Sequence, residues 1–281
     1  MQSFLNRTAF ITGGAGGIGA ALACEFVERG ASVVIADLDL DRARSVAHNI
    51  DSGGRALAVN LDVTDAESWR AARGSAEQAF GRVDILCSNA GVGYTGSLDE
   101  IGLDAWRWVY EVNVIGAVHA IQTFIPGMKA RGAEAHVLFT SSITALHPFA
   151  TQAAYTSSKA ALLNLARTLQ LELSTTSIGV SVLCPGMVAT NLRANAINAR
   201  PEALRASAAD SPLPSPLSQG MAASAVARVA VEAILANRFY VFTHSDYREA
   251  IASDSQAMLD AMLESADPRH REPSLTSVPP P

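Results

Sequence analysis

Short apolar runs alternate along the chain with longer segments in which apolar residues recur at a helical period. The apolar runs are rich in Val, Ile, Ala and Phe, which is typical of strands that are buried on both faces. They predict strands at Thr8–Thr12, Ser32–Asp37, Arg55–Leu61, Val83–Ser88, Ala135–Ser141, Val180–Cys184 and Phe239–Thr243. The intervening segments predict helices at about Gly17–Arg29, Asp39–Ile50, Asp65–Phe80, Leu103–Ala130, Ala153–Ser174 and Ala222–Ala236.

The order of these elements predicts the fold class. Buried strands that are separated by helices form a parallel sheet, because each helical crossover returns the chain in the same direction. We therefore expect an α/β protein with a single doubly wound Rossmann domain. It should contain a seven-stranded parallel sheet with helices on both faces.

Two segments depart from this alternation. Residues 189–221 contain four prolines and many small residues. The segment is too long for an ordinary connection, so it predicts a substrate loop or lid. Residues 266–281 are polar and Pro-rich, which predicts a disordered tail. The sequence thus predicts one folded domain over residues 1–265, followed by this tail.

Composition and charge narrow the class of protein. The net charge is −6, and no basic cluster is long enough to follow a phosphate backbone, so nucleic acid is not an expected partner. No apolar run reaches the ~18 residues of a membrane span, and the first residues do not resemble a signal peptide. Cys24, Cys87 and Cys184 fit no zinc or redox spacing. We therefore expect no metal site and a reduced, cytoplasmic location.

A glycine-rich turn joins the first predicted strand to the first predicted helix. The segment Thr12–Gly19 reads TGGAGGIG. Glycines at such a turn let backbone N–H groups approach a pyrophosphate, and the helix N-terminus adds a partial positive charge. The turn alone has low specificity, but its place between the first strand and the first helix favours a dinucleotide site. The candidate cofactor residues in it are Gly13, Gly17, Ile18 and Gly19.

Asp37 ends the second predicted strand, 18 residues after Gly19. A carboxylate at this point accepts hydrogen bonds from the ribose hydroxyls of NAD and repels the 2′-phosphate of NADP. The alternative is an aspartate that only shapes the turn before the next helix. The glycine turn contains no arginine or lysine, and Leu38 follows Asp37. We therefore predict NAD rather than NADP as the cofactor.

Tyr155 and Lys159 lie four residues apart at the start of a predicted helix, so they share one helix face. A nearby ammonium favours the phenolate and lowers the pKa of tyrosine, which suits it to acid/base chemistry. With five tyrosines and two lysines in 281 residues, chance produces this spacing in on the order of a few per cent of such chains, so the pair alone is only suggestive. Arginine supplies nearly all other positive charge. A lysine here therefore favours a tunable active-site ammonium over an exposed helix face.

These motifs and several others, in the same order, resemble the short-chain dehydrogenase/reductase family from about Phe4 to Thr243. The ordered markers are the TGxxxGIG turn, Asp62-Val63, Asn89-Ala90-Gly91, Asn113, Ser142, Tyr155, Lys159 and Pro185–Thr190. Ser142 precedes Tyr155 by 13 residues, the interval usual in the family. Ser88 replaces the family's additional asparagine, and Ala145 stands where a glycine is frequent. Neither departure removes a reacting group.

The resemblance implies a role for each marker. Tyr155 is implied to be the acid/base, Ser142 to polarise the substrate oxygen, and Lys159 to bond the nicotinamide ribose and tune Tyr155. Asn113 is implied to hold a water in a proton relay. The implied cofactor contacts are Asp62 and Val63 at the adenine, Asn89, Ala90 and Gly91 beneath the cofactor, Tyr155 and Lys159, and Pro185, Gly186, Val188 and Thr190 at the nicotinamide end.

The sequence thus predicts an enzyme that transfers a hydride between NAD and a small secondary alcohol or ketone. An NADPH-dependent carbonyl reductase on the same fold is an alternative that Asp37 and Leu38 argue against. A dinucleotide-binding scaffold without turnover is a third alternative, but such a protein is expected to have lost Ser142, Tyr155 or Lys159. A cofactor titration with a substrate screen separates the three.

Apolar segments of the chain bear on the class of substrate and on the oligomeric state. Apolar residues in the 189–221 segment favour an apolar pocket, so we expect an aromatic or alicyclic alcohol. His147 is interpreted as part of the pocket lining rather than as a base, and His136 as a core histidine. The helical stretch Val109–Phe124 is apolar on more than one face. This pattern predicts a homo-oligomer, and the family resemblance implies a tetramer or dimer.

Overall fold

The structure, a computed structural model, describes residues 1–50, 53–205 and 220–265. Its strands are β1 (Thr8–Thr12), β2 (Ser32–Asp37), β3 (Ala56–Asn60), β4 (Ile85–Ser88), β5 (Ala135–Thr140), β6 (Ile178–Cys184), β7 (Val188–Ala189), β8 (Met221–Ala222) and β9 (Tyr240–Phe242). Its helices are α1 (Gly17–Glu28), α2 (Leu40–Ile50), α3 (Ala66–Phe80), α4 (Leu103–Tyr110), α5 (Gly116–Arg131), α6 (Ala153–Glu172), α7 (Leu192–Asn198), α8 (Glu202–Arg205), α9 (Ala223–Leu235) and α10 (Arg248–Ser265). The chain divides into two units, Met1–Thr243 and His244–Pro281.

The first unit is built around a seven-stranded sheet in the order β3-β2-β1-β4-β5-β6-β9. Every adjacent pair is parallel. The chain builds outward from β1 to β3 and then crosses to β4 on the other side, which is the doubly wound Rossmann topology. The predicted fold class is therefore confirmed. The switch point between β1 and β4 opens a crevice at the carboxyl ends of the strands, where such sheets bind ligands.

Apolar residues cover both faces of this sheet, because alternate side chains of a strand point to opposite faces. Phe10 of β1 packs on one face with Trp69 of α3 and Phe124 of α5. Its neighbour Ile11 packs on the other face with residues of α1 and α9. Neither Phe10 nor Ile11 is exposed to solvent. This places β1, which leads into the glycine turn, at the centre of the core.

Several predicted elements differ from the observed ones, mostly by one or two residues at strand ends. Two of these differences have a clear structural cause. The final strand, predicted over Phe239–Thr243, is shorter because it pairs only with Val182–Cys184 of β6. The single long helix predicted over Leu103–Ala130 is observed as α4 and α5 joined by a π-helical turn, Glu111–Ile115. A π turn inserts an extra residue into the helical repeat, and the spacing of apolar residues did not reveal it.

The two ends of the 189–221 segment are held side by side. Strands β7 and β8 form a separate parallel pair, with Val188 opposite Met221 and Ala189 opposite Ala222. Helices α7 and α8 lie between these strands in the sequence, and residues 206–219 are outside the described residues. The function of the segment as a substrate loop stays a prediction.

The second unit contributes helix α10. None of its residues is buried, and Met258, Leu259, Met262 and Leu263 are exposed. The predicted tail, 266–281, is outside the described residues, and the extent of the catalytic domain to residue 265 stays a prediction. In the described part of the chain, no helix has both the length and the apolar character needed to cross a bilayer.

His136 is a core histidine, as the sequence predicted. It lies on β5, is 1% exposed, and its Nε2 is 2.8 Å from the hydroxyl oxygen of Ser181 on β6. Burial is the main cause that lowers the pKa of His136 to about 3. The ring is therefore neutral in the folded protein at neutral pH.

We expect His136→Gln to weaken the acid sensitivity of the fold. In the unfolded chain the histidine has a pKa near 6.5, whereas in the folded protein it becomes protonated only near pH 3. Protonation therefore favours the unfolded state. The contribution of His136 to the free energy of unfolding is therefore fully present above about pH 6.5, and it is lost as the pH falls toward 3. In urea unfolding, the free energy of unfolding of the wild type should fall between pH 7 and pH 4, with on the order of 2–4 kcal/mol of the fall due to His136. The variant should lack this part of the fall. The exposed His48, changed to Gln, is the control. Equal pH dependence in both variants would contradict this expectation.

Candidate active site

The glycine turn is wound so tightly at the start of α1 that side chains do not fit. Gly13 and Gly17 have φ angles of 63° and 54°, in the left-handed region that favours glycine. A methyl group on Gly19 would overlap the carbonyl oxygen of Gly13, and one on Gly13 would lie 3.0 Å from the Cα of Ala90. No side chain caps α1 at its N-cap, Gly16. This cradle fits a pyrophosphate held by backbone N–H groups.

Asp37 lies beside this turn at the carboxyl end of β2. Its carboxylate accepts a hydrogen bond from the Ala15 N–H at 3.0 Å and another from the Asp39 N–H at 3.1 Å. These bonds fix the side chain against the glycine turn. The carboxylate therefore borders the turn that is predicted to hold the pyrophosphate, and its role at the ribose stays a prediction.

Arg42 is a residue of this site that the sequence analysis missed. From the first turn of α2, its guanidinium donates to the Ala15 carbonyl at 3.3 Å and to Asn195 Oδ1 at 3.1 Å. A methyl group on Gly16 would lie 2.8 Å from its Nη2. Arg42 lies beyond the glycine turn and Leu38, the positions in which the sequence shows no basic residue. A signal was nevertheless available, because a side chain in the first turn of the helix after Asp37 can reach back to the glycine turn.

Asp62 and Val63 are fixed in the loop after β3. The Asp62 Oδ1 accepts hydrogen bonds from the N–H and the hydroxyl of Thr64, at 2.9 and 2.7 Å. The Val63 carbonyl accepts one from the indole N–H of Trp69 at 3.0 Å. Val63 also packs on α5, where a methyl group on Gly116 would lie 3.0 Å from its Cγ2. Both residues thus have defined positions at the same edge of the sheet.

Side-chain hydrogen bonds tie the carboxyl ends of β1, β4 and β5 together. The hydroxyl oxygen of Thr12 accepts the N–H groups of Asn89 and Ala90, each at 2.9 Å. The Asn89 side chain donates to the Thr12 carbonyl at 3.0 Å and accepts from the Thr140 hydroxyl at 3.1 Å. Beyond them, a methyl group on Gly91 would lie 3.0 Å from Nζ of Lys159. Glycine at position 91 therefore leaves room for the lysine.

Ser142, Tyr155 and Lys159 meet beyond the carboxyl end of β5. The Ser142 hydroxyl oxygen accepts the Thr144 N–H at 3.1 Å, and Ser142 is near enough to Tyr155 to lower the pKa of its hydroxyl. Lys159 is buried, donates to the Thr140 carbonyl at 2.9 Å, and places Nζ 5.7 Å from the centre of the Tyr155 ring. The three side chains that the sequence singled out are thus brought together.

The pKa of Tyr155 shifts in the direction opposite to the prediction. Burial raises it, the nearby Ser142 hydroxyl lowers it by less, and Cys184 adds a further rise. Burial also lowers the pKa of Lys159 to about 8, against a smaller opposing effect of Cys184. The prediction considered only the attraction between ammonium and phenolate. Burial of both groups penalises both charges, and here it has the larger effect.

Asn113 is placed by the π-helical turn between α4 and α5. Its Oδ1 accepts the Val92 N–H at 2.8 Å, and its Nδ2 donates to the Val92 carbonyl and the Ser158 hydroxyl, each at 2.9 Å. The side chain is 1% exposed. It therefore joins the loop after β4 to α6, directly beside Gly91 and the Ser142, Tyr155 and Lys159 side chains, which we call the catalytic group.

The segment after β6 borders both the glycine turn and the catalytic group. The Pro185 carbonyl accepts a backbone N–H at 2.9 Å from the turn that follows β5. At its other end, Thr190 lies against the glycine turn, since a methyl group on Gly17 would be 3.2 Å from Thr190 Cγ2. Val188 between them is buried. Pro185, Gly186, Val188 and Thr190 therefore follow one path between the two halves of the site.

Other reactive side chains have different surroundings. His147 packs edge-on against Phe149, with ring centres 5.4 Å apart. Cys87 and Cys184 are buried, as predicted, and burial raises the pKa of both thiols. Within the described ranges, no three His, Cys, Asp or Glu side chains are grouped in a way that could hold a metal ion.

Comparison with known proteins establishes the class. Residues 7–201 match the short chain dehydrogenase family. The chain therefore belongs to this family and is an oxidoreductase, as the ordered motifs predicted.

Individual relatives narrow the comparison. The chain is 38% identical over 245 residues to 1-deoxy-11-beta-hydroxypentalenate dehydrogenase of Streptomyces exfoliatus, covering 86% of this chain and 84% of that protein. It is 38% identical over 195 residues to trans-4-hydroxycyclohexanecarboxylate dehydrogenase of Sinomonas cyclohexanicum, covering 67% and 74%. A short-chain dehydrogenase/reductase from Burkholderia phymatum, solved in complex with NAD, superposes with a TM-score of 0.86 at 32% identity, covering 95% of this chain and 99% of that one.

Proposed function

We propose that the protein is an NAD-dependent dehydrogenase that interconverts a secondary alcohol on an alicyclic ring and the corresponding ketone. The observation that carries this proposal is the convergence of Ser142, Tyr155 and Lys159 beside the glycine turn. The two dehydrogenase relatives, whose names describe hydroxylated alicyclic acids, support the ring. The NAD complex of the structural neighbour supports the cofactor.

Each catalytic side chain has a distinct task in the oxidation. Tyr155, as the phenolate, takes the hydroxyl proton of the alcohol. Burial raises the pKa of Tyr155 in the chain alone, so the Lys159 ammonium and the positive charge of bound NAD would together have to offset that rise. Ser142 donates a hydrogen bond to the alcohol oxygen while it becomes a carbonyl oxygen. Bound NAD supplies the acceptor for the hydride that leaves the carbinol carbon. The alcohol thus loses two electrons and two hydrogens, and ketone reduction is the reverse.

We assign the surrounding residues to the cofactor. The backbone of Gly13, Gly17, Ile18 and Gly19 holds the pyrophosphate, and Asp37 binds the ribose hydroxyls. Asp62 and Val63 border the adenine, and Asn89, Ala90 and Gly91 lie beneath the cofactor. Pro185, Gly186, Val188 and Thr190 hold the nicotinamide end. Asn113 shapes the adjoining loop and contributes to the proton relay.

A substrate screen tests the proposed function. Cyclohexanol, substituted cyclohexanols and linear secondary alcohols would be supplied with NAD or NADP, and reduced cofactor would be followed at 340 nm. We expect turnover of ring alcohols with NAD. Activity limited to linear alcohols, or no oxidation of any alcohol with either cofactor, would contradict the proposal.

Use of NADP is a second candidate, and Arg42 is the observation in its favour. Its guanidinium lies on the edge of the glycine turn, close enough to Ala15 for a hydrogen bond, and a guanidinium is well suited to a phosphate. Asp37 opposes it, because its carboxylate touches the same turn from β2. The balance between these two charges decides the cofactor, and we assign NAD because the carboxylate is fixed by two backbone hydrogen bonds.

We expect Asp37→Asn to move the preference from NAD toward NADP. The loss of charged hydrogen bonds should weaken NAD binding about tenfold, and the loss of repulsion should strengthen NADP binding by a similar factor. Dissociation constants from isothermal titration measure both. The double variant that carries both Asp37→Asn and Arg42→Ala should not show the increased affinity for NADP. Asp41→Asn, an exposed aspartate on α2, is the matched control. A D37N variant with unchanged affinity for both cofactors would rule out the assigned role.

We also propose an oligomeric state and a cellular location. Ile115, on the Val109–Phe124 stretch predicted to pair subunits, and Leu171 on α6 are exposed in the single chain, which supports a homotetramer. A stable monomer in light scattering would contradict it. The three cysteines are all free thiols, which supports a reducing, cytoplasmic location.

A further inference from the structure

A short helix of the segment after β7 lies across the cofactor crevice. Asn195 of α7 accepts a hydrogen bond at 3.1 Å from the guanidinium of Arg42 on α2. The next residue, Ala196, is 3% exposed and packs in a buried cluster with Tyr94 of the loop after β4. Neighbouring residues of α7 thus contact elements on either side of the switch point between β1 and β4. We call residues 190–198 the strap.

The strap also lies against the glycine turn. A methyl group on Gly17 would be 3.2 Å from Cγ2 of Thr190, the residue that begins the strap. A methyl group on Gly16 would lie 2.8 Å from Nη2 of Arg42 and 3.8 Å from Nδ2 of Asn195. The Arg42–Asn195 hydrogen bond therefore passes beside Gly16, which is the N-cap of α1. The strap thus borders the turn to which we assign the pyrophosphate.

The two ends of this hydrogen bond differ in how firmly they are held. The Arg42 N–H donates to Asp39 Oδ1 at 3.0 Å, and its guanidinium donates to the Ala15 carbonyl at 3.3 Å. The strap follows the two-residue strand β7, and its helix α7 has only seven residues. A helix this short is not stable by itself. The position of the strap therefore depends on its contacts with other elements.

The Arg42–Asn195 hydrogen bond lies at the surface of the protein. Arg42 is exposed and Asn195 is half-buried, so water competes for both partners. A bond in this setting changes an equilibrium by only about 3- to 10-fold. It can therefore break and re-form within a catalytic cycle, and it still determines how much of the time the strap is closed.

We propose that the Arg42–Asn195 hydrogen bond is a latch that holds the strap over the bound dinucleotide, so that its opening sets the rates at which the cofactor enters and leaves. The inference rests on the proposed function for the cofactor, and it adds a conformational step to cofactor exchange. Arg42 and Asn195 act as positioning residues in this step. The competing explanation is that the bond only supports the fold of α7.

The first test measures how fast NADH binds and leaves. Stopped-flow fluorescence gives the association rate constant on mixing, and displacement by excess NAD gives the dissociation rate constant. A latch restricts both directions, so Asn195→Ala should raise both rate constants about 3- to 10-fold and leave the dissociation constant within about twofold. Asn198→Ala, at an exposed asparagine of the same helix, is the matched control and should behave as the wild type.

The second test strengthens the latch. In Asn195→Asp a carboxylate accepts a charged hydrogen bond from the Arg42 guanidinium, which is stronger than the bond to an amide. Both rate constants for NADH should therefore fall about threefold. Repulsion between the new carboxylate and the pyrophosphate would instead speed dissociation. Adding Arg42→Gln should abolish the slowing. Adding Arg44→Gln, at an exposed arginine of α2 that pairs with Asp41, should not.

Hydrogen exchange follows the strap itself. Amide exchange in peptides that cover residues 190–198 should be faster in Asn195→Ala than in the wild type. Unchanged rate constants in Asn195→Ala, a weaker affinity without faster association, or faster dissociation in Asn195→Asp would each overturn the inference.

The outcomes also separate the latch from the proposed function. If the wild type bound neither NADH nor NADPH, both would fail. If it bound NADPH alone, the cofactor assignment would fail, and the same rate constants with NADPH would decide whether the latch stands. If NADH bound and a ring alcohol was oxidised, but the rate constants did not depend on Asn195, only the latch would fail.

Discussion

Tyr155→Phe should lower kcat by about 10³-fold while NAD binds with nearly unchanged affinity. The substitution removes one oxygen atom, which accepts the alcohol proton in the proposed reaction. The ring keeps its place in α6, and Nζ of Lys159 keeps its bond to the Thr140 carbonyl. Stopped-flow or steady-state oxidation of a ring alcohol gives kcat, and isothermal titration with NAD gives the dissociation constant.

The matched control for this variant is Tyr110→Phe, which removes the same atom at the end of α4. Tyr110 packs against Trp106 and has no assigned part in the reaction, so its kcat should stay within about twofold of the wild type. If Tyr155→Phe retained more than a tenth of the wild-type kcat, Tyr155 would not be the acid/base. If both variants lost activity equally, the effect of Tyr155 would be on folding rather than on proton transfer.

Gly19→Ala should weaken cofactor binding strongly, because the added methyl group would overlap the Gly13 carbonyl oxygen and approach Asn89 Nδ2 to 2.8 Å. Neither atom can withdraw easily: one is backbone, and the other is hydrogen-bonded to Thr12. The turn must therefore open. Overpacking of this kind costs about 1–3 kcal/mol, so we expect the NAD dissociation constant to rise about 10- to 100-fold, with a lower midpoint in urea unfolding.

Gly74→Ala is the matched control, because it adds the same methyl group to an open position in the middle of α3. Nothing lies within 4 Å of that site, and alanine favours a helix over glycine by about 0.5–1 kcal/mol. This variant should therefore be slightly more stable and bind NAD normally. Equal behaviour of the two alanine variants would show that the glycine turn tolerates a side chain and is not the cofactor cradle described here.

The strands and the catalytic group could be predicted from the sequence because their signals are local. The buried run at Thr8–Thr12, the glycine turn after it and the Tyr155–Lys159 spacing each lie within one element or at the junction of two. A parallel sheet then brings these junctions to one edge, because every strand ends on the same side. The convergence of Tyr155 with Ser142 follows from this arrangement.

The features that sequence reasoning missed depend on contacts between elements that are distant along the chain. Arg42 bonds to Asn195, 153 residues later, and Arg200 stacks on Tyr94, more than a hundred residues earlier. Apolar periodicity carries no information about such pairs. The pKa of Tyr155 was missed for a related reason: spacing shows which charge is near, but the extent of burial is known only from the packed structure.

The β7–β8 pairing lets the segment predicted to be a substrate loop vary without disturbing the sheet. Because Val188 lies opposite Met221, everything between these strands leaves and rejoins the domain at one point, so its length matters little to the sheet. Doubling the length of such an excursion costs only about 0.6 kcal/mol in closure entropy. Evolution can therefore lengthen, shorten or replace this segment while the sheet and the Ser142, Tyr155 and Lys159 side chains beyond its other strands stay the same.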